Sequence, residues 1–194
     1  MIDLLTTEKQ FLSSHLRKGG VAVDFTMGNG HDTAWLSAQV GEEGKVYAFD
    51  IQKQALEQTA LTLKKEGCPD NCTLILDSHA EVERYVKEPI CAGMFNLGYL
   101  PGSDKSVTTL CSSTMAAVEA ALRLLEDGGG LLVAVYPGHA EGTREGEMLE
   151  SFFSQLDRKK ICVSKLRIVN SPTSPFFFLA EKREKAGEGK GSAG

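Results

Sequence analysis

Two hydrophobic periods alternate along the chain. Short apolar runs rich in β-branched and aromatic residues recur at 21–25, 45–51, 72–77, 90–97 and 131–136, as buried strands do. Between them, apolar positions fall three and four residues apart. Ala55, Leu56, Thr59, Ala60 and Leu63 share one face of 52–66, and Val107, Leu110, Met115, Val118, Ala121, Leu122 and Leu125 share one face of 106–125, the mark of amphipathic helices. Residues 1–18, 31–39, 78–86 and the stretch carrying Met148, Leu149, Phe152, Phe153 and Leu156 also read as helical. Ser78 is placed as an N-cap, with Glu81 completing a capping box. Gly19-Gly20 and Gly128-Gly-Gly130 stop the helices before them.

Two last strands are expected at 161–169 and 176–182. The joint between them, Asn170-Ser-Pro-Thr-Ser-Pro175, is too short for a crossover helix, so they should be antiparallel neighbours. Everything before them alternates strand and helix. The pattern therefore predicts an α/β fold: a seven-stranded, mostly parallel sheet with an antiparallel last strand and helices on both faces. Residues 1–183 read as one domain, and 184–194, which lack any large apolar residue, as a disordered tail.

Composition narrows this picture modestly. The 194 residues are 42% hydrophobic, and no apolar run approaches membrane-spanning length. Residues 1–10 lack the basic and apolar regions of an export signal, so a cytoplasmic location is expected. Five cysteines (68, 72, 91, 111 and 162) make an odd number, which favours reduced thiols over a disulfide framework. Cys68 and Cys72 have no second ligand pair at finger-like spacing, so no metal is expected. The formal charge of −5 argues against non-specific coating of nucleic acid. Local basic pairs such as Arg17-Lys18 and Lys64-Lys65 are candidate contacts only if they cluster on one face.

Candidate chemistry concentrates where a parallel sheet places ligands, outside the carboxyl ends of its strands. Asp24, Met27, Gly28, Asn29, Gly30, Asp32 and Thr33 follow the first strand, and Asp50 and Gln52 the second. Ser78 and His79 follow the third, Asn96 to Asp104 the fourth, and His139 the fifth. Glycines at the first turn permit positive φ and close approach of a ligand to the backbone. Gly28-x-Gly30 with Asp50 admits a dinucleotide reading and hence an NAD-dependent oxidoreductase. Against it, Thr33 stands where the third glycine belongs, and Asp24 would repel a pyrophosphate. Asp24 facing a cation, with Asp50 holding a ribose, suits S-adenosylmethionine better.

On these residues the chain resembles the class I methyltransferases that use S-adenosylmethionine, with their Rossmann-like sheet. More narrowly, Asp24-Phe-Thr-Met-Gly-Asn-Gly-His-Asp-Thr33, Asn96-Leu-Gly-Tyr-Leu-Pro101 with Asp104-Lys105, and Pro137-Gly-His139 with Glu141-Gly142 resemble one small stand-alone family. Its members were long labelled rRNA methylases and are now associated with methylating the aminomethyl group of 5-aminomethyl-2-thiouridine at the tRNA wobble position. The resemblance implies cofactor contacts from Asn29 and Asp32 at the methionine end, from Asp50 and Gln52 at the ribose and adenine, and from Ser78 or His79 beside the adenine. It also implies the tRNA anticodon stem-loop as partner, and a homodimer.

An aliphatic amine has a pKa of about 10.4, so it must be freed of its proton before it can accept a methyl group. Asn96, with the Leu97 carbonyl, is the candidate to orient it. Tyr99 offers a stacking surface for the base, and Asp104 and His139 are candidate proton acceptors. No cysteine sits in a strand-end loop of the Asn96 type, which favours an exocyclic nitrogen over a ring carbon. Methylation of rRNA or of a small molecule is the nearest alternative.

Overall fold

The computed structural model describes residues 4–97, 111–138 and 140–184. Its strands are β1 (Val21–Asp24), β2 (Lys45–Asp50), β3 (Cys72–Leu76), β4 (Ile90–Leu97), β5 (Leu125–Val135), β6 (Ile161–Arg167) and β7 (Phe176–Lys182). They form one sheet in the order β3-β2-β1-β4-β5-β7-β6. β1 to β5 pair in parallel, while β7 runs antiparallel to both β5 and β6. The helices are α1 (Leu4–Ser13), α2 (His31–Val40), α3 (Lys53–Lys65), α4 (Val82–Tyr85), α5 (Cys111–Leu124) and α6 (Ala140–Ser154). None of these is long and apolar enough to cross a membrane.

Successive strand residues face opposite sides of a sheet, and both sides of this one are covered. Val23, Leu131, Val133 and Val135 join Ala117, Val118, Leu149 and Phe153 in one core. Ala22, Leu132 and Ala134 join Leu12, Leu36 and Val40 in the other. Burial on both faces explains why the strands read as continuous apolar runs rather than alternating ones. Phe25 and Phe95 stack at 4.1 Å just where β1 and β4 end.

Four local expectations are revised. α1 ends at Ser13, not near residue 18, because the Ser13 and Ser14 hydroxyls donate to the carbonyls of Gln10 (2.7 Å) and Phe11 (2.8 Å), competing with further helical turns. Residues 78–86 form a short 3₁₀ turn (His79–Glu81) followed by α4. Ser78 Oγ does accept from the Ala80 amide at 3.2 Å. The capping box stays open, however, because the Ser78 amide donates to Asp77 and Glu81 turns to Arg84. β6 closes at Arg167 rather than at residue 169.

The largest revision concerns Gly128-Gly-Gly130, read as a helix stop before a strand at 131–136. The strand instead runs from Leu125 through all three glycines, with a register shift opposite Ile90 and Ala92. A Cβ at Gly130 would collide with the His15 ring. That ring donates through Nδ1 to the Gly128 carbonyl at 2.8 Å and sets Nε2 3.4 Å from a Glu181 oxygen. The glycines thus make a seat for the segment after α1.

Candidate functional site

The strand order reverses between β1 and β4, since β1 leads outward to β2 and β3 while β4 leads to β5. A crevice at such a switch point is the usual ligand site of an open α/β sheet. The loop after β1 is held tightly there. The Phe25 amide donates to Met94 O (2.9 Å), the Met27 amide to Phe49 O (2.9 Å), and the Gly30 amide to Met27 O (2.7 Å). From α3, Thr59 and Thr62 donate to the carbonyls of Gly28 (3.2 Å) and Asn29 (2.8 Å). With its carbonyls anchored from below, the loop turns its remaining backbone toward the crevice. Gly30 precedes α2, whose first turn carries no side-chain cap, so its amides are free to meet an anionic group.

Gly30 combines a φ of 83° with a Cβ position only 2.8 Å from the Thr59 Cα. A left-handed non-glycine residue costs roughly 1–2 kcal/mol, and overpacking against backbone roughly 1–3 kcal/mol. Gly30→Ala is therefore expected to lower the thermal midpoint by several degrees and to weaken cofactor binding in calorimetry. A variant that melts within a degree of the parent and binds equally well would contradict this geometry.

The three carboxylates around the loop differ in what they can do. Asp24 is 1% exposed; its oxygens accept from the Thr26 amide (3.0 Å) and the Thr33 hydroxyl (2.6 Å). The expectation that Asp24 faces a bound cation is revised accordingly: it is sealed beneath the loop, paired with the equally buried Thr33, and acts on a ligand only through its field. Burial first, and then the charge of Asp32, push its pKa up to about 7. Asp50 is partly open. Its two oxygens accept one amide each, from Gly28 (3.2 Å) and Gln52 (2.9 Å), which fixes the carboxylate and leaves lone pairs for hydroxyl donors. Met27 is also revised, since its side chain packs with Ala48 and Ala55 and only its backbone lines the loop.

Asp32 belongs to a network that runs across the crevice. One oxygen meets Lys9 Nζ of α1 at 2.6 Å, and the other accepts from Asn96 Nδ2 at 2.6 Å. Tyr136, just past β5, donates its phenol to Asn96 Oδ1 at 3.3 Å. The Asn96 backbone N–H donates to Thr26 Oγ1 at 2.8 Å. Both ends of the Asn96 side chain and its backbone are thereby fixed, with one Oδ1 lone pair still available. Burial, reinforced by the charges of Glu8 and Asp32, pushes the Tyr136 pKa up to about 12, so the phenol keeps its proton.

At the far side of the loop, His79 donates through Nδ1 to the Phe25 carbonyl at 3.0 Å, and its ring stands edge-on to Phe95. Burial lowers its pKa, so the ring is neutral and Nε2 is an acceptor. That buried atom has no hydrogen-bond partner. An orphaned acceptor near Asp50, together with the open lone pairs of Asp50 and the free amides of α2, fits a nucleoside carrying a carboxylate tail. Ile51, next to Asp50, is a large apolar residue left 60% exposed, as the wall of a base pocket would be.

The structure thus gathers Asp24, Met27, Gly28, Asn29, Gly30, Asp32, Thr33, Asp50, His79 and Asn96 around one loop, with the Gln52 amide on Asp50 and Ser78 next to His79 in sequence. Tyr99, Asp104 and His139 lie outside the described residues. The sequence reading missed Lys9, Thr26 and Tyr136, together with the buried Glu8. Glu8 had a signal, because it sits in the stripe of Leu4 and Leu12, where a charged residue needs a local reason. Cys72, Cys91 and Cys162 fall at the starts of β3, β4 and β6, and Cys68 lies before β3. None of these four thiols therefore stands at the carboxyl edge. Burial moreover pushes the thiols of Cys68, Cys72 and Cys91 up, away from the thiolate form.

Sheet order, glycine loop and strand-end carboxylate together define the fold of S-adenosylmethionine-dependent methyltransferases, and known proteins agree. Residues 46–182 match the family described as "Putative rRNA methylase". A solved structure from Clostridium thermocellum with the same description superposes with a TM-score of 0.91 at 36% identity, covering 94% of this chain and 98% of that one. A Streptococcus mutans protein described as a putative methyltransferase, solved in complex with S-adenosylhomocysteine, gives 0.85 at 40% identity over 94% and 99%. A chloroplastic tRNA (mnm(5)s(2)U34)-methyltransferase of Arabidopsis thaliana is 37% identical over 182 residues, 87% of this chain. This chain spans 65% of that enzyme's length. The chain belongs to the rRNA methylase family. Its fold and kinship leave the dinucleotide reading without support, and S-adenosylmethionine is the cofactor of the class.

Proposed function

We propose that this chain transfers a methyl group from S-adenosylmethionine to RNA, and that the acceptor is the aminomethyl nitrogen of 5-aminomethyl-2-thiouridine at the tRNA wobble position. The observation that carries the reading is the Asn96 amide, fixed between Asp32 and Tyr136 at the mouth of the cofactor loop. The similarity to the chloroplastic tRNA enzyme favours this acceptor. In this reading Asp50 accepts from ribose hydroxyls, with Gln52 beside it. Asn29 and Asp32 stand at the methionine end, and Ser78 and His79 beside the adenine.

The bound cofactor supplies an electrophilic methyl carbon with a good leaving group, so the chain's task is to position a neutral amine. A carboxylate next to that amine would hold it protonated. Asn96 instead offers an uncharged acceptor, and the Lys9–Asp32 ion pair cancels the nearest negative charge. The Asn96 oxygen can then take one N–H of the free amine and aim its lone pair. Tyr99 as stacking platform and Asp104 and His139 as proton acceptors complete the reading from the sequence. The substrate contact is placed at the anticodon stem-loop, with a homodimer providing a broader RNA platform, in the cytoplasm where tRNA is matured.

The test is labelled-methyl transfer to purified RNAs, followed by mass spectrometry of the nucleosides. Label is expected on tRNA that carries the aminomethyl precursor, yielding its N-methylated form. Label confined to ribosomal RNA would move the substrate to the one named by the family description. Absence of label on any RNA would overturn the reading.

A further inference from the structure

We propose that the groove between α1 and α2 is a nucleotide subsite, where an unpaired RNA nucleotide near the modified one stacks its base on Trp35. The inference rests on the RNA reading above and extends it to a groove that shares only Lys9 with the transfer site. Six side chains line the groove: Thr6, Lys9, Gln10 and Ser13 from α1, and Trp35 and Gln39 from α2; its volume is about 380 Å³. That volume lies in the usual range of small-ligand sites, about 300–1,000 Å³.

The spacing of the lining residues is what core packing does not explain. Thr6, Lys9, Gln10 and Ser13 are i, i+3, i+4 and i+7, one continuous face of α1, and Trp35 and Gln39 are i and i+4 on α2. Two neighbouring helices normally meet through apolar side chains, yet here the facing stripes are polar apart from one indole. Trp35 packs against the core beneath it and stays partly open on the groove side, a rigid aromatic platform of the kind that holds unstacked bases. The carboxamides of Gln10 and Gln39 flank it, and a carboxamide donates and accepts as base edges require.

Charge agrees with this occupant. The chain carries −5 overall, but none of the six lining residues is acidic. Lys9 Nζ sits over the Trp35 ring, 5.4 Å from its centroid, and 2.6 Å from Asp32 Oδ1, so a base that stacks there displaces the ammonium to the base's edge while Asp32 keeps hold of it. An ammonium has three donors, so two remain for a phosphate beside a stacked base. Lys9 also makes the groove continuous with the site, because Asp32 holds Asn96 through its other oxygen. A strand entering along the groove would reach Asn96 across two side-chain contacts.

Trp35 is the only tryptophan of the chain, so its emission reports this groove alone. The protein, saturated with S-adenosylhomocysteine, is titrated with an anticodon stem-loop RNA. Saturable quenching of the indole is expected, at the concentrations that give half-maximal methyl transfer. Trp35→Leu is expected to raise KM for RNA roughly tenfold with kcat and S-adenosylhomocysteine affinity near those of the parent. Gln10→Ala, at an exposed position, should raise KM several-fold without any risk to folding. If RNA is methylated but the emission is unmoved and Gln10→Ala has the parent's KM, the subsite is wrong and the methyltransferase reading stands. If no RNA is methylated, both fall.

Discussion

Asn96→Ala is expected to lower kcat for methyl transfer by roughly 10²- to 10³-fold, the usual cost of removing one preorganised hydrogen-bonding group at a reacting centre. Cofactor affinity should change far less, because the loop that holds the cofactor is anchored by Thr59, Thr62 and Asp50 rather than by Asn96. Single-turnover transfer and calorimetric titration on the same preparation separate the two effects. The variant also leaves Tyr136 without its acceptor and Asp32 without one of its donors, so the loss should exceed that of Tyr136→Phe, which removes a single long hydrogen bond. Wild-type turnover in Asn96→Ala would remove Asn96 from the chemistry and shift attention to the Leu97 carbonyl.

Asp24 governs the second large effect, on stability against pH. Its folded pKa of about 7 lies well above the ordinary carboxylate value of 3.8, chiefly through burial. Because the folded state holds the proton more tightly than the unfolded state, the stabilisation is fully present below about pH 4 and is lost as the pH rises through about 7. Above that pH the folded protein carries a buried carboxylate at a cost of a few kcal/mol. Asp24→Asn keeps the shape and removes this titration. The variant should therefore gain on the parent between pH 5 and pH 8, by several degrees in thermal midpoint. Melting curves at the two pH values measure the difference, and a gap independent of pH would show that Asp24 is ionised in the fold at both.

The central strands β1, β4 and β5 were legible because a strand inside a parallel sheet is buried on two sides, which writes an apolar run. β4 and β7 start and stop where their runs do. The glycines at 128–130 were misleading for a physical reason. A helix stop and a seat for a distant ring both call for a missing Cβ, and only the position of His15 distinguishes them. The cofactor loop was legible as a motif, since positive φ and strand-end carboxylates both leave traces in residue type. The roles of Asp24 and Asp50 were harder to separate, because the same residue type is sealed in one case and open in the other. Tyr136 reaches Asn96 across 40 residues and Lys9 meets Asp32 from a different helix, and no local pattern announces either contact.

The two fastenings of α1, at Lys9 and just past its C-terminus, have a consequence for how changes propagate. From the middle of the helix Lys9 grips Asp32 beside the site; just past the C-terminal end, the His15 ring lies in its glycine seat on the opposite edge of the sheet. A helix of ten residues is too short to bend between these points, so it behaves as a strut. A bulky side chain introduced at Gly130 would lift the C-terminal end and loosen the grip of Lys9 on Asp32, making a position remote from the chemistry a lever on the orientation of Asn96.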